Sequence, residues 1–151
     1  MALKPDRQIV VTDISYYMNE VAERGLIVIH STGGSGAAMD DSSALVATPG
    51  ATVSGTDPAG LLLNDMVNLD LTRQHYNQHK DEMQLGGKVT LLRRGWVVTD
   101  QISGTPAIGE QAYYNEAGEL TATAVANGTQ VGRFLSTLDA DGYAKVDINI
   151  V

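Results

Sequence analysis

The residue set best suited to chemistry in this chain is His75 and His79, four residues apart and followed by Asp81 and Glu82. On a helix, two histidines at that spacing share one face and can share a zinc ion. A zinc protease built on that spacing also needs Glu directly after the first His as its base, and here that position is Tyr76. A solvated polar segment accounts for the stretch better, so no metal site is expected. Gly33-Gly34-Ser35-Gly36 could turn backbone N–H groups toward a phosphate, but neither the Lys-Ser/Thr pair nor a βαβ pattern accompanies it. Gly86-Gly87-Lys88 fails likewise, with Val89 where Ser or Thr is required. Asp139-x-Asp141-Gly142 begins like a calcium loop but lacks the spaced ligand set and terminal Glu, and reads as a turn. No serine lies in a G-x-S-x-G elbow, and Asp40-Asp41 and Asp81-Glu82 sit in loop-like contexts as solvated charge. The chain has no cysteine, which removes disulfides and thiolate metal sites. These observations predict no enzyme activity, no cofactor and no bound metal.

The remaining concentrated feature is Arg93-Arg94-Gly95-Trp96. Arg and Trp are the residues that most often anchor interfaces. On a chain of net charge −8 they could meet an acidic partner; alternatively Trp96 is core and the arginines balance nearby carboxylates. The acidic excess lies at both ends: residues 1–60 carry three Lys/Arg against seven Asp/Glu, and residues 101–151 carry two against six. Phosphate recognition needs clustered cations, so direct nucleic acid binding is not expected. The longest apolar run, Leu26 to Ile29, is far shorter than the roughly 20 residues that span a bilayer, which predicts a soluble chain without a secretion or membrane address.

The 151 residues fit one domain, and 16 Gly, one Phe and one Trp among many Ala, Thr and Val favour short strands and turns over helical packing. Residues 1–11 read as an extended arm, because Pro5 disfavours helix at Lys4 and Ile9, Val10 and Val11 favour extended backbone. Residues 12–151 then form a single β-rich domain. One short helix is predicted over Asp13 to Gly25, where Ile14, Tyr17, Met18, Val21 and Ala22 follow helical spacing behind a capping Asp13. Leu26 to His30 reads as a buried strand, Ala37 to Gly60 as surface loop with weak strands, Leu61 to Leu71 as a half-buried strand, and Thr72 to Leu85 as an exposed connection. Beyond Gly87 come Lys88 to Arg93, Trp96 to Thr99, Glu110 to Tyr114, Glu119 to Thr123, Thr129 to Leu138 and Tyr143 to Val151, separated by turn residues such as Asn127-Gly128. Strands at that spacing predict a mainly β fold, a compact antiparallel barrel or sandwich.

Three stretches, GGKVTLLRRGWVVTD (86–100), GEQAYYNEAGELTATA (109–124) and VGRFLSTLDADGYAKVDINI (131–150), resemble the capsid decoration, or cement, proteins of tailed bacteriophages. DISYYMNEVAERG (13–25) and GLLLNDMVNLDLTRQ (60–74) fit the same group, so the resemblance spans most of the chain. It implies a structural subunit, commonly a homotrimer, assembled in the host cytoplasm onto the outer surface of the virion's expanded head, where it binds major capsid protein. Terminal arms and edge strands would reach neighbouring subunits. Partner contacts are therefore expected on the arm at Lys4, Asp6, Arg7, Ile9 and Val11, with Arg93, Arg94 and Trp96 as a second patch. The alternative reading is a surface β-sandwich module that binds carbohydrate or a host receptor, for which the few large aromatic residues offer limited platforms.

Overall fold

The structure is a computed structural model that describes residues 2–18, 20–31, 45–50, 53–64 and 87–150. Among the described residues it contains twelve strands and no helix. The strands are β1 (Gln8–Asp13), β2 (Tyr17–Met18), β3 (Ile27–Ser31), β4 (Leu45–Ala47), β5 (Pro58–Leu62), β6 (Gly87–Lys88), β7 (Leu91–Thr99), β8 (Ile102–Ser103), β9 (Gln111–Tyr114), β10 (Leu120–Thr121), β11 (Gly132–Phe134) and β12 (Ala144–Asn149). They run in the order β6-β2-β4-β3-β5-β7-β12-β11-β9-β10-β8, with β1 added to β7 off that path.

The expected antiparallel barrel or sandwich is thus corrected to one open, mixed sheet. Its terminal strands β6 and β8 are two residues each and do not pair to close it. Two contacts, β2 with β4 and β8 with β10, are parallel.

β7 organises the sheet because three strands pair with it. β5 takes its start through Leu61↔Leu92 and Leu62↔Leu91, β12 takes Arg94 to Thr99, and β1 runs antiparallel along Leu91 to Trp96. Apolar neighbours on the inner strands face opposite ways. Ile27, Leu61 and Leu92 join a main core with Tyr114, Phe134, Val146 and Ile148, whereas Val28, Leu62 and Leu91 join a second core with Met18, Val46 and Ala59. Strands covered on both faces need no alternation, which explains the continuous apolar runs at residues 26–29 and 61–63. Toward the C-terminus the sheet is covered on one face only. There Ala144, Val146 and Ile148 are buried while Lys145, Asp147 and Asn149 are turned outward.

The helix predicted over Asp13 to Gly25 does not form in the described residues of that stretch. Asp13 accepts the Ser15 N–H at 2.8 Å in a local turn instead of capping a helix. Tyr17 and Met18 form β2 between β4 and β6, and the Tyr16 carbonyl accepts the Val89 N–H at 3.1 Å. Met18 and Ala22 are buried, yet Ile14 and Val21, on the same notional helical stripe, are 58% and 64% exposed. Tertiary pairing outweighs the local period here. Gly25 does end the stretch in the left-handed region, at φ 96°, donating its N–H to Leu62.

Other expectations fall near their places. Of the two pieces predicted on either side of Gly95, Leu91 to Arg93 and Trp96 to Thr99 form one strand through Gly95 at φ 145°, whereas Lys88 belongs to β6 and Val89 and Thr90 to no strand. Asn127 takes φ 56° in its turn, and Asn115 to Gly118 joins β9 to β10 with the Asn115 N–H donating to Glu119. The strand predicted over Thr129 to Leu138 is only Gly132–Phe134. Val53 is a buried turn residue beside Thr56, whose hydroxyl lies 2.7 Å from the Tyr114 hydroxyl. Burial raises the Tyr114 pKa, although that hydrogen bond works the other way. His75, His79, Asp81, Glu82, Gly33 to Gly36, Asp40-Asp41 and the predicted strand beyond Asn64 lie outside the described residues.

Candidate interaction surface

The arm does not hang free. Leu3 is buried and bridges Thr99, and Lys4 donates its N–H to the Val98 carbonyl at 2.9 Å. The Lys4 ammonium lies 3.6 Å from Asp139 Oδ2 and 4.5 Å from the centre of the Tyr143 ring, so it ties the arm to the last turn. Asp139 is held there by its own loop: Oδ1 accepts the N–H groups of Asp141 and Tyr143, both at 2.9 Å. The Tyr143 bond chiefly, with Asp141 and Lys4 adding to it, lowers the Asp139 pKa. The Asp-x-Asp-Gly stretch is therefore an occupied turn.

Asp6, Arg7, Ile9 and Val11 are exposed, as is every residue of β1 up to Thr12. Asp13 is partly shielded, and burial works against its charge. The backbone and hydroxyl of Ser15, with Arg93 and His30 nearby, outweigh that effect and lower its pKa.

Arg93 and Arg94, adjacent in sequence, part company in space. Arg93 donates from Nε to the Ala59 carbonyl at 3.2 Å and lines a cleft with His30, Asp57 and Asn149. Arg94 is exposed and lines a groove with Gln8, Val10, Trp96 and Asp147. Trp96 is half-buried on that same face. Its indole N–H donates to Gln8 Oε1 at 3.0 Å, and the Lys145 ammonium sits 3.8 Å above its ring. One face of the ring is thus covered by a cation.

Register extends the surface across the sheet. Residues directly opposite in antiparallel strands share a face. Gln8, Trp96, Asp147, Arg133 and Gln111 stand in one row across β1, β7, β12, β11 and β9. Arg94 and Lys145 therefore flank Trp96, Arg133 lies two strands away across Asp147 on the same face, and among the described residues none of the three cations forms an ion pair. Arg133 and Lys145 were not among the sequence-predicted contacts. The outward alternation of Lys145, Asp147 and Asn149 carried the signal, but assigning their neighbours required the register.

Among the described residues no group of three His, Cys, Asp or Glu could hold a metal ion, and no helix is long and apolar enough to cross a membrane. The arrangement offers a half-buried aromatic ring, unpaired cations and an extended strand, which are means of docking. Residues 9–149 match the family model described as structural cement protein (E217 gp24/Pam3 gp6). The chain belongs to this family of phage structural cement proteins. Membership makes it a structural protein of the virion, associated with the capsid. Among curated proteins none matches the sequence.

Proposed function

We infer that this cement protein binds the outer surface of the expanded head through the β7-β12-β11 face and stabilises contacts between major capsid proteins, without catalysis. The observation that carries this reading is the placement of Arg94 and Lys145 beside the half-buried Trp96, with Arg133 on the same sheet face, in a chain of net charge −8. A chain with excess negative charge places three cations against the one carboxylate of Asp147 on this part of the sheet, and such a face favours an acidic protein surface. The aromatic ring at its centre supplies the apolar area that such contacts need.

Stabilisation follows from linkage. A subunit that binds the assembled, expanded lattice and not its alternatives shifts the equilibrium toward that lattice, and many weak sites on one shell add up. The arm, with Lys4, Asp6, Arg7, Ile9 and Val11, serves contacts to neighbouring subunits.

Co-sedimentation of purified protein with heads lacking it tests the proposal. Expanded heads should retain the protein and unexpanded heads should not. Equal retention by both, or by neither, would refute it.

A further inference from the structure

The outer edge of β1 pairs with no other described strand, and both faces of the strand are open. Ile9, Val10 and Val11 are 45%, 60% and 41% exposed. Such an edge is a template for another strand. The ladder to β7 also skips Val10, since Ile9 faces Gly95 and Val11 faces Arg94. A bulged residue leaves its backbone groups outside the ladder.

The sequence of this edge is complementary to itself. In an antiparallel pairing of two copies centred on Val10, Val10 faces Val10, Ile9 faces Val11, Gln8 faces Thr12, and Arg7 faces Asp13 on both sides of the axis. A parallel pairing would set Arg7 against Arg7 and Asp13 against Asp13. Sliding the antiparallel pair by one residue sets Asp6 against Asp13 in one direction, and sets Gln8 against Asp13 and Arg7 against Ile14 in the other. Like charges directly opposite destabilise a ladder, and opposite charges support it. Arg7 is exposed, and although Asp13 Oδ1 accepts the Ser15 N–H, neither Arg7 nor Asp13 forms an ion pair among the described residues.

We propose that two copies of this chain associate about a two-fold axis by antiparallel β1 to β1 pairing centred on Val10, with reciprocal Arg7 to Asp13 contacts. A two-fold contact of this kind is isologous and closes on itself. It joins two subunits, or bridges neighbouring decoration units on a shell, without forming a fibre. The contact uses the free edge of β1, which borders the β7-β12-β11 face at Gln8 and Val10, and it is tested on the isolated full-length protein without heads.

Because the chain has no cysteine, a single introduced thiol reports the register. Under mild oxidation Val10→Cys should give a covalent dimer, since directly opposite residues lie close enough to bridge. Gln8→Cys alone should not, whereas an equimolar mixture of Gln8→Cys and Thr12→Cys chains should. In the uncrosslinked protein, Arg7→Asp and Asp13→Arg should each weaken the association by about tenfold, and the double exchange should restore it. Equal crosslinking at positions 8 and 10, no crosslinking at 10, or a double exchange as weak as the singles would overturn the pairing. Protection of β1 appearing only on heads, with no pairing in solution, would overturn it in favour of a capsid strand on that edge.

Discussion

Asp139 links two distant segments through charge, and acid should reveal it. The folded chain holds its proton less tightly than the unfolded chain, because the N–H of Tyr143, then that of Asp141 and the Lys4 ammonium, favour the carboxylate. The resulting stabilisation is complete above the unfolded pKa of about 3.9 and is lost as pH falls through the lower folded value. Asp139→Asn keeps an oxygen acceptor but loses the charge. Its unfolding midpoint should lie below wild type at neutral pH, and the two curves should converge under strong acid. Phe134, the only phenylalanine, is fully buried in the main core. Phe134→Ala should cost about 3–5 kcal/mol in chemical denaturation, a large part of the 5–15 kcal/mol typical of a domain. Legibility differed sharply between such residues. Asn115, Gly118, Asn127 and Gly142 announced their turns by residue type alone, whereas Arg93 and Arg94 read as one patch and point into different surroundings. Adjacent residues of one strand leave it toward opposite faces, so the pair divides once residues 91–99 form a single strand through Gly95.

At the scale of elements, the attachment of β1 depends on the absence of a side chain at Gly95. A Cβ there would collide with the Gln8 carbonyl, and the backbone lies in a region that disfavours other residues. β12, whose buried side chains lie in the main core on the other edge of β7, is the stronger partner, so the exposed β1 should yield. Gly95→Ala should therefore release the arm at a cost of about 1–3 kcal/mol and speed tryptic cleavage after Arg7, without loss of the remaining sheet. An unchanged cleavage rate would show that β1 tolerates the added atom. The elements missed from sequence share one cause. β2 lies in a stretch with helical spacing, but its two residues are recruited by β4 and β6, which are far along the chain. Likewise, openness of the sheet depends on whether β6 and β8 meet, a property of the ends and not of any one strand's pattern. The regular hairpins near the C-terminus were legible because their partners are close in sequence.

For the whole molecule, the charge distribution sets how it should meet its shell. On the proposed reading, cations on the β7-β12-β11 face and an acidic remainder would orient the subunit, with its outward surface repelling other particles. Binding through exposed cations is screened by salt, so retention on heads should fall between low and high ionic strength. The Arg94→Glu/Lys145→Glu double variant should lose at least tenfold in affinity at low salt and show little further salt dependence. Because Trp96 is the only tryptophan, its fluorescence should also change as the face is covered. The most direct measurement is a reconstruction of heads decorated with the intact protein. In it, Trp96, Arg94 and Lys145 should lie against the outer surface of the major capsid protein. Density with that face turned to solvent, or the protein inside the shell, would contradict it.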